Sequence, residues 1–177
     1  VRVGSRYEPL RVHGISHFLE HLFFKGTRRR PNPGDINKEL DMIGAEHNAF
    51  TSKETTGFWV KSSAKDFDKS LDIISDILLE PLFKEEEIEK ERGIILQEIN
   101  MYEDEPRRKV IDILENIIYD RQPVGRDISG TKDSIKKIKR QDILNYKDNN
   151  YFSKNIVVVV AGNTKKDVAF KKIEEKF

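Results

Sequence analysis

Apolar residues recur at intervals of three and four along most of this chain, which is the spacing that places them on one face of a helix. Phe67, Leu71, Ile74 and Leu78 form the clearest such stripe, and Pro81 marks its end. Similar patterns, bounded by glycines, prolines or acidic first turns, predict six further helical segments. These lie at 13–26, 35–44, 84–103, 107–120 and 131–151, with a last one that ends at residue 177.

Other segments have the composition of β-strands. Residues 45–64 are rich in Thr, Phe and Trp and predict two strands joined at a polar turn, 52–54. The run IVVVVAGN, 156–163, is typical of a strand buried on both faces. Residues 1–4 resemble the end of a strand, so we expect the strands before it to be missing. The pattern predicts a single two-layer α+β domain, with a mostly antiparallel or mixed sheet packed against helices.

Composition narrows the class of protein. The chain has 177 residues, enough for one domain with a sizeable core, and it is 36% charged and 37% hydrophobic. Its net charge of +1 and the lack of a long apolar run favour neither a nucleic-acid partner nor a membrane. There is no cysteine, which excludes disulfides, thiolate nucleophiles and cysteine zinc sites. Without cysteine or a visible export signal, we expect a bacterial cytoplasmic protein, with the mitochondrial matrix as the alternative.

The segment HFLEHLFFKGT, which begins at His17, carries the candidate chemistry. On a helix, His17 and His21 lie about 40° apart, and Glu20 lies about 60° to the other side of His17. Two neutral imidazoles one turn apart can bind one Zn²⁺, and the neighbouring carboxylate can reach a water in the open coordination position. The spacing is that of the H-x-x-E-H metallopeptidase motif.

The segment ERGIILQEINMYEDEP contains a candidate for the third metal ligand. Glu91 and Glu98 are seven residues apart and therefore about 20° apart on one helix face. Apolar residues lie between them and would bury the segment. A buried carboxylate needs a compensating positive charge, and a metal ion would provide one. We therefore expect Glu98 to serve a function and not simply to face solvent.

The chain resembles the pitrilysin family of zinc peptidases (insulinase family, M16), which includes insulin-degrading enzyme and the mitochondrial processing peptidase. The resemblance rests on six segments in family order across nearly the whole chain. These are GSRYE, HGISHFLEHLFFKGT, NAFTSKETT, ERGIILQEINMYEDEP, GRDISGT and VVVVAGN. The resemblance implies a zinc-dependent endopeptidase that cleaves extended or unfolded peptides, and identifies residues 1–177 as the N-terminal, zinc-binding half.

The resemblance also implies roles for individual residues. His17, His21 and Glu98 would bind one Zn²⁺ per chain, and Glu20 would be the general base. Glu91 would be required for catalysis without being a ligand.

The resemblance also implies that residues 48–50 bind the substrate. Asn48, Ala49 and Phe50 match the family segment whose strand edge pairs with an extended substrate, and Phe50 would line the pocket beside the scissile bond. An exposed strand edge offers backbone hydrogen bonds to any extended peptide, so broad sequence tolerance is expected.

The family's active site also needs a homologous C-terminal half, or a partner subunit, that is absent from this sequence. In the family that half supplies an arginine and a tyrosine that stabilise the transition state, and it closes a chamber around the substrate. One alternative stays open: a non-catalytic subunit or inactive fragment that acts in assembly or substrate guidance. A phosphate-binding loop in GRDISGTK is disfavoured, because the threonine precedes the lysine and the segment follows a helix.

Overall fold

The computed structural model describes residues 1–120 and 122–177. The predicted α+β class is confirmed: helices pack around an antiparallel hairpin. Within the described residues there are eight α-helices and two strands. In chain order they are α1 (Ile15–Leu22), α2 (Asp35–Met42), β1 (Glu46–Thr51), β2 (Thr56–Lys61), α3 (Phe67–Leu79), α4 (Glu85–Glu103), α5 (Pro106–Ile118), α6 (Lys132–Lys137), α7 (Arg140–Asn150) and α8 (Lys166–Lys176).

The predicted hairpin forms with its turn at the expected place. Strand β1 pairs antiparallel with β2 from Glu46 opposite Lys61 to Thr51 opposite Thr56. In the turn, the Ser52 hydroxyl accepts the Thr55 backbone N–H at 2.9 Å. Such side-chain bonds to nearby backbone N–H groups are why serine favours turns. The hairpin then packs one face against α1.

Helix α1 is the centre of the hydrophobic core. Ile15, Phe18, Leu19 and Leu22 are each at most 1% exposed, and the helix packs against α4, α7 and β1. Phe23, directly after the helix, lies edge-on or tilted against the rings of β2, the α3–α4 connection and the segment after α7. A helix this deeply buried holds its polar side chains in fixed positions.

The start of α1 lies where the backbone at Gly14 passes close to the backbone at residues 129–130. Gly14 has φ of +92°, and a Cβ placed on it would lie 2.9 Å from the Cα of Gly130 and 2.7 Å from the carbonyl oxygen of Ser129. Only glycine tolerates both this φ and this approach. Just before it, the Glu8 carboxylate accepts the backbone N–H of Gly14 at 2.6 Å and that of Ser16 at 2.8 Å. Glu8 thus satisfies two of the N–H groups that a helix start leaves unpaired.

Two of the predicted helices differ in extent from the structure. The helix predicted over 13–26 is α-helical only over Ile15–Leu22, because Gly14 and Gly26 both have positive φ. The helix predicted over 131–151 is two helices, α6 and α7, separated by the extended residues Ile138 and Lys139. The carboxylate of Asp142 accepts the backbone N–H of Lys139 and so caps the start of α7.

The strand predicted over 156–163 is wrong. In the described part of the chain this segment pairs with no other strand, and Val157 and Val159 are 80% and 81% exposed. A groove lined by Val60, Leu71 and Val158 separates it from β2. Continuous apolar composition predicts burial only when neighbouring strands cover both faces, and here they do not. No helix formed by the described residues is long and apolar enough to cross a membrane.

Candidate metal centre

Helix α1 presents three polar side chains toward α4 and the hairpin. His17 and His21, one turn apart, have their ring centroids 4.7 Å apart in an edge-on arrangement. Glu20 points toward the end of β1, where its Oε2 accepts the hydroxyl of Thr51. The apolar residues around them anchor the helix in the core. The local reason for this arrangement is the 100° rotation per residue, which places positions 17, 20 and 21 on one side.

The His17 and His21 rings converge with Glu98 of α4. Their Nε2 atoms are 3.3 Å apart. The Oε2 atom of Glu98 lies 3.6 Å from the first Nε2 and 3.5 Å from the second. The three atoms thus form a nearly equilateral triangle of potential metal ligands.

Glu91 lies beside this triangle and contacts its outer side. Its side chain is 4% exposed. Glu91 Oε2 is 3.1 Å from Nδ1 of His21, and Oε1 is 2.7 Å from Nζ of Lys25. A carboxylate on the far nitrogen of a ligating histidine holds the ring orientation and the tautomer. Glu91 therefore contacts a candidate ligand without being one of the converging donors.

The charges of the site favour a cation. Burial and the neighbouring His21 lower the pKa of His17 to about 4. Burial alone would lower the pKa of His21, but its contacts with Glu91 and Glu98 raise it to about 9. The contact with His21 lowers the pKa of Glu98 to about 2, and the hydrogen bond from Tyr102 acts in the same direction. Two ionised carboxylates around the rings create a position that stabilises positive charge.

A shallow cleft lies next to the triangle. Glu20, His21 and Glu91 line it together with Asn48 and Ala49 of β1. The backbone N–H of Ala49 donates to the side-chain oxygen of Asn48 at 2.8 Å, so this group points away from β2.

Phe50 does not line the cleft. It is 51% exposed and alternates to the opposite hairpin face from Thr51. Its ring lies over Gly57, where a Cβ would come within 2.4 Å of the ring.

The structure therefore brings together most of the predicted site residues. The residues that it gathers around one centre are His17, Glu20, His21, Asn48, Ala49, Glu91 and Glu98. Sequence reasoning missed Lys25, Thr51 and Tyr102, each of which contacts a member of this group. Lys25 and Tyr102 stand four residues after His21 and Glu98, and that spacing is the signal that could have identified them.

The triangle fits a zinc ion. Bonds of about 2.0–2.1 Å in tetrahedral geometry place ligand atoms roughly 3.3–3.4 Å apart, and the observed separations are 3.3, 3.5 and 3.6 Å. Two imidazole nitrogens and one carboxylate oxygen are also a donor set that catalytic zinc uses, with a fourth position left for water. The fit requires only small movements of side chains.

Comparison with known proteins identifies the family. Residues 1–132 match the family described as Insulinase (Peptidase family M16). The mitochondrial-processing peptidase subunit beta of Homo sapiens is 38% identical over 167 residues, which are 94% of this chain and 34% of that protein. A protein named as an uncharacterized zinc protease of Rickettsia felis is 38% identical over 176 residues, which are 99% of this chain and 42% of that protein.

Solved structures agree with the sequence comparison. A protease from Helicobacter pylori superposes with a TM-score of 0.95 at 29% identity, over 99% of this chain and 43% of that one. The chain thus spans roughly a third to two fifths of the length of these relatives. Since the family match covers most of the chain, the chain belongs to the insulinase family of peptidases, peptidase family M16.

Proposed function

We propose that this chain is the zinc-binding part of a metallopeptidase, in which His17, His21 and Glu98 hold one Zn²⁺. The observation that carries the proposal is the triangle of two Nε2 atoms and one carboxylate oxygen with separations of 3.3–3.6 Å. Membership of a peptidase family and the relative named as a zinc protease support it. A bound zinc ion would make a coordinated water acidic enough to act as a nucleophile near neutral pH.

The chain's own residues would then act on that water and on the ligands. Glu20 would be the general base that accepts the proton of that water, because it lies beside His21 in the cleft but outside the ligand triangle. Glu91 orients the His21 ring through Nδ1, and Lys25 balances the charge of Glu91. This division of roles assigns catalysis to Glu20 and positioning to Glu91.

The substrate would be an extended or unfolded peptide bound along β1. Asn48 and Ala49 lie on the strand that borders the cleft, and the Ala49 N–H points outward, where a peptide carbonyl could replace the Asn48 side chain as its acceptor. Phe50 would contact a substrate from the outer face of the hairpin. Recognition through backbone groups tolerates many side chains, so we expect specificity to be broad.

The partner would be a homologous second half or subunit. Residues 1–177 correspond to only 34–43% of the relatives' lengths. Six apolar residues of α5 are each more than half exposed, which fits a surface that further polypeptide covers. They are Val110, Ile111, Ile113, Leu114, Ile117 and Ile118. The predicted cytoplasmic location stays a prediction, since the relatives include bacterial and mitochondrial proteins.

The non-catalytic alternative predicts a disrupted site. Here His17 and His21 of α1 and Glu91 and Glu98 of α4 are present, and their side chains converge. That convergence supports the peptidase over a purely structural or substrate-guiding subunit.

Zinc content tests the proposal. The purified chain, incubated with zinc and desalted, should contain about one zinc per chain by elemental analysis. The His17→Ala, His21→Ala double variant should contain almost none, because a single carboxylate cannot hold the ion. His47→Ala removes a histidine that lines the same cleft outside the triangle, and it should retain the metal. Stoichiometric zinc in the double variant would refute the assignment.

A further inference from the structure

We propose that Tyr102 is a positioning residue for the metal centre: it holds Glu98 so that a single carboxylate oxygen faces the two histidines. The inference rests on the proposed zinc site and extends it to a residue outside the ligand set. Its support is a chain of contacts that runs from Glu98 to Tyr102 and from Tyr102 to Arg108.

The first contact lies within α4. Tyr102 follows Glu98 by four residues, so the two side chains lie on the same helix face. The Tyr102 hydroxyl donates to Oε1 of Glu98, whereas Oε2 is the atom 3.5–3.6 Å from the histidine Nε2 atoms. The two oxygens of one carboxylate thus have different partners.

The second contact comes from α5. The guanidinium carbon of Arg108 lies 3.2 Å from the centroid of the Tyr102 ring. Arg108 stands in the first turn of α5, which starts with Pro106 immediately after α4 ends. A cation stacked on an aromatic face is attracted to it. The stack restricts the ring and with it the direction in which the hydroxyl points.

The chemistry of a carboxylate explains why this matters. An ionised carboxylate has only acceptor atoms and can bind a metal through one oxygen or both. A hydroxyl that donates to Oε1 competes with metal binding at that oxygen, so the carboxylate would bind a zinc ion through Oε2. One coordination position then remains for a water, as a catalytic zinc site requires. Partners behind the ligands typically change metal affinity by about 10–100-fold when they are removed.

Tyr102→Phe tests this role, since it removes only the hydroxyl and keeps the ring under Arg108. Zinc affinity of the purified chain is measured by competition with a chromogenic chelator. We expect the variant to bind zinc about 10–100-fold more weakly than the wild type. Tyr7→Phe is the matched control, because Tyr7 is an exposed tyrosine that also has an arginine near its ring, 5.6 Å from the centroid. It should bind zinc like the wild type.

Thermal unfolding of the metal-free proteins separates positioning from folding. The metal-free Tyr102→Phe chain should unfold at the wild-type temperature, which a general structural role would not allow. Arg108→Gln should weaken zinc binding in the wild type but cause little further loss in the Tyr102→Phe background, because it acts through the same hydroxyl.

The outcomes separate the two proposals. Wild-type chain that binds zinc, with a Tyr102→Phe affinity within about twofold of it, overturns the positioning role and leaves the zinc site intact. Wild-type chain that binds no zinc overturns the proposed function together with this inference. A loss of about tenfold or more that is specific to Tyr102→Phe supports both.

Discussion

Glu20 lies beside the ligand triangle without belonging to it. Burial raises the pKa of its carboxyl, and the hydroxyl of Thr51 lowers it. That hydrogen bond also fixes the carboxyl orientation, because Thr51 sits at the end of β1. Under the proposed function, a base held in this way would take a proton from a water at the metal without competing for the metal itself.

We expect Glu20→Gln in the full-length protein to retain zinc and lose nearly all peptide hydrolysis. Glutamine keeps the shape but cannot accept a proton, and general base catalysis contributes about 10²–10⁴-fold. The measurement is the turnover of an unfolded peptide, with zinc content determined on the same sample. Glu87→Gln changes another buried glutamate, one that pairs with Lys90, and should leave turnover unchanged. A loss below about tenfold with zinc present would assign the base to another group.

Much of the site could be predicted from helix periodicity. Spacing alone placed His17 and His21 on one face of α1, and it placed Glu91 and Glu98 on one face of α4. That these faces meet across some 70 residues of chain is a tertiary fact that only the family resemblance indicated. The contact of Thr51 with Glu20 depends on how the hairpin docks on α1, which no local pattern encodes.

At the scale of the element, the buried carboxyl of Glu8 caps the start of α1. Burial raises the pKa of Glu8 to about 7, although the backbone N–H groups of Gly14 and Ser16 and the charge of Arg126 lower it. In the unfolded chain the pKa returns to about 4.5. Between these values the folded protein binds more protons than the unfolded one, so this group's contribution to stability falls as pH rises.

We therefore expect Glu8→Gln to change the pH dependence of stability. Relative to this variant, the wild type should lose about 3 kcal/mol of unfolding free energy between about pH 4.5 and pH 7. Above that range the difference should be constant. Urea unfolding of both chains, with a chelator present to remove metal effects, measures it. A difference that is independent of pH would mean that Glu8 is ionised in the fold throughout this range.

Elements with strong local signals were predicted well, and those that depend on neighbours were not. Helices α2, α3 and α4 begin and end near their punctuating glycines and prolines, because backbone sterics act locally. The division between α6 and α7 escaped prediction, since Lys139 and Asp142 form a cap within a sequence that also suits a continuous helix. The strand expected at 156–163 would need partner strands on both sides, and the local pattern does not tell whether such partners are present.

At the scale of the whole molecule, the chain carries a candidate metal centre and spans only part of its relatives' length. The cleft beside the triangle is open to solvent, and α5, which packs against α4, exposes a wide apolar face. A peptidase must hold its substrate in position, and it must keep solvent water from replacing the contacts that the substrate makes. Under the proposed function, a further half would cover the cleft and help to position the substrate.

We accordingly expect the isolated chain, loaded with zinc, to show little or no peptidase activity. Charge stabilisation by groups on a second half is commonly worth about 10²–10³-fold in rate, and loss of substrate positioning adds to this. The assay compares the chain alone with the chain mixed with the separately expressed remainder of the protein. Equal turnover in both samples would show that this part of the molecule is sufficient for catalysis. No turnover after verified assembly would favour the non-catalytic alternative.

The segment 156–160 has a consequence for how the chain behaves at high concentration. Its Val157 and Val159 side chains are almost fully exposed, and its backbone forms no strand pairing in the described part of the molecule. An unpaired, apolar, extended segment is a template for aggregation, since a second copy can add to it edge to edge. Association of this kind grows with protein concentration. Dilute samples, or a lysine in place of one exposed valine, would keep the chain dispersed while its metal binding is measured.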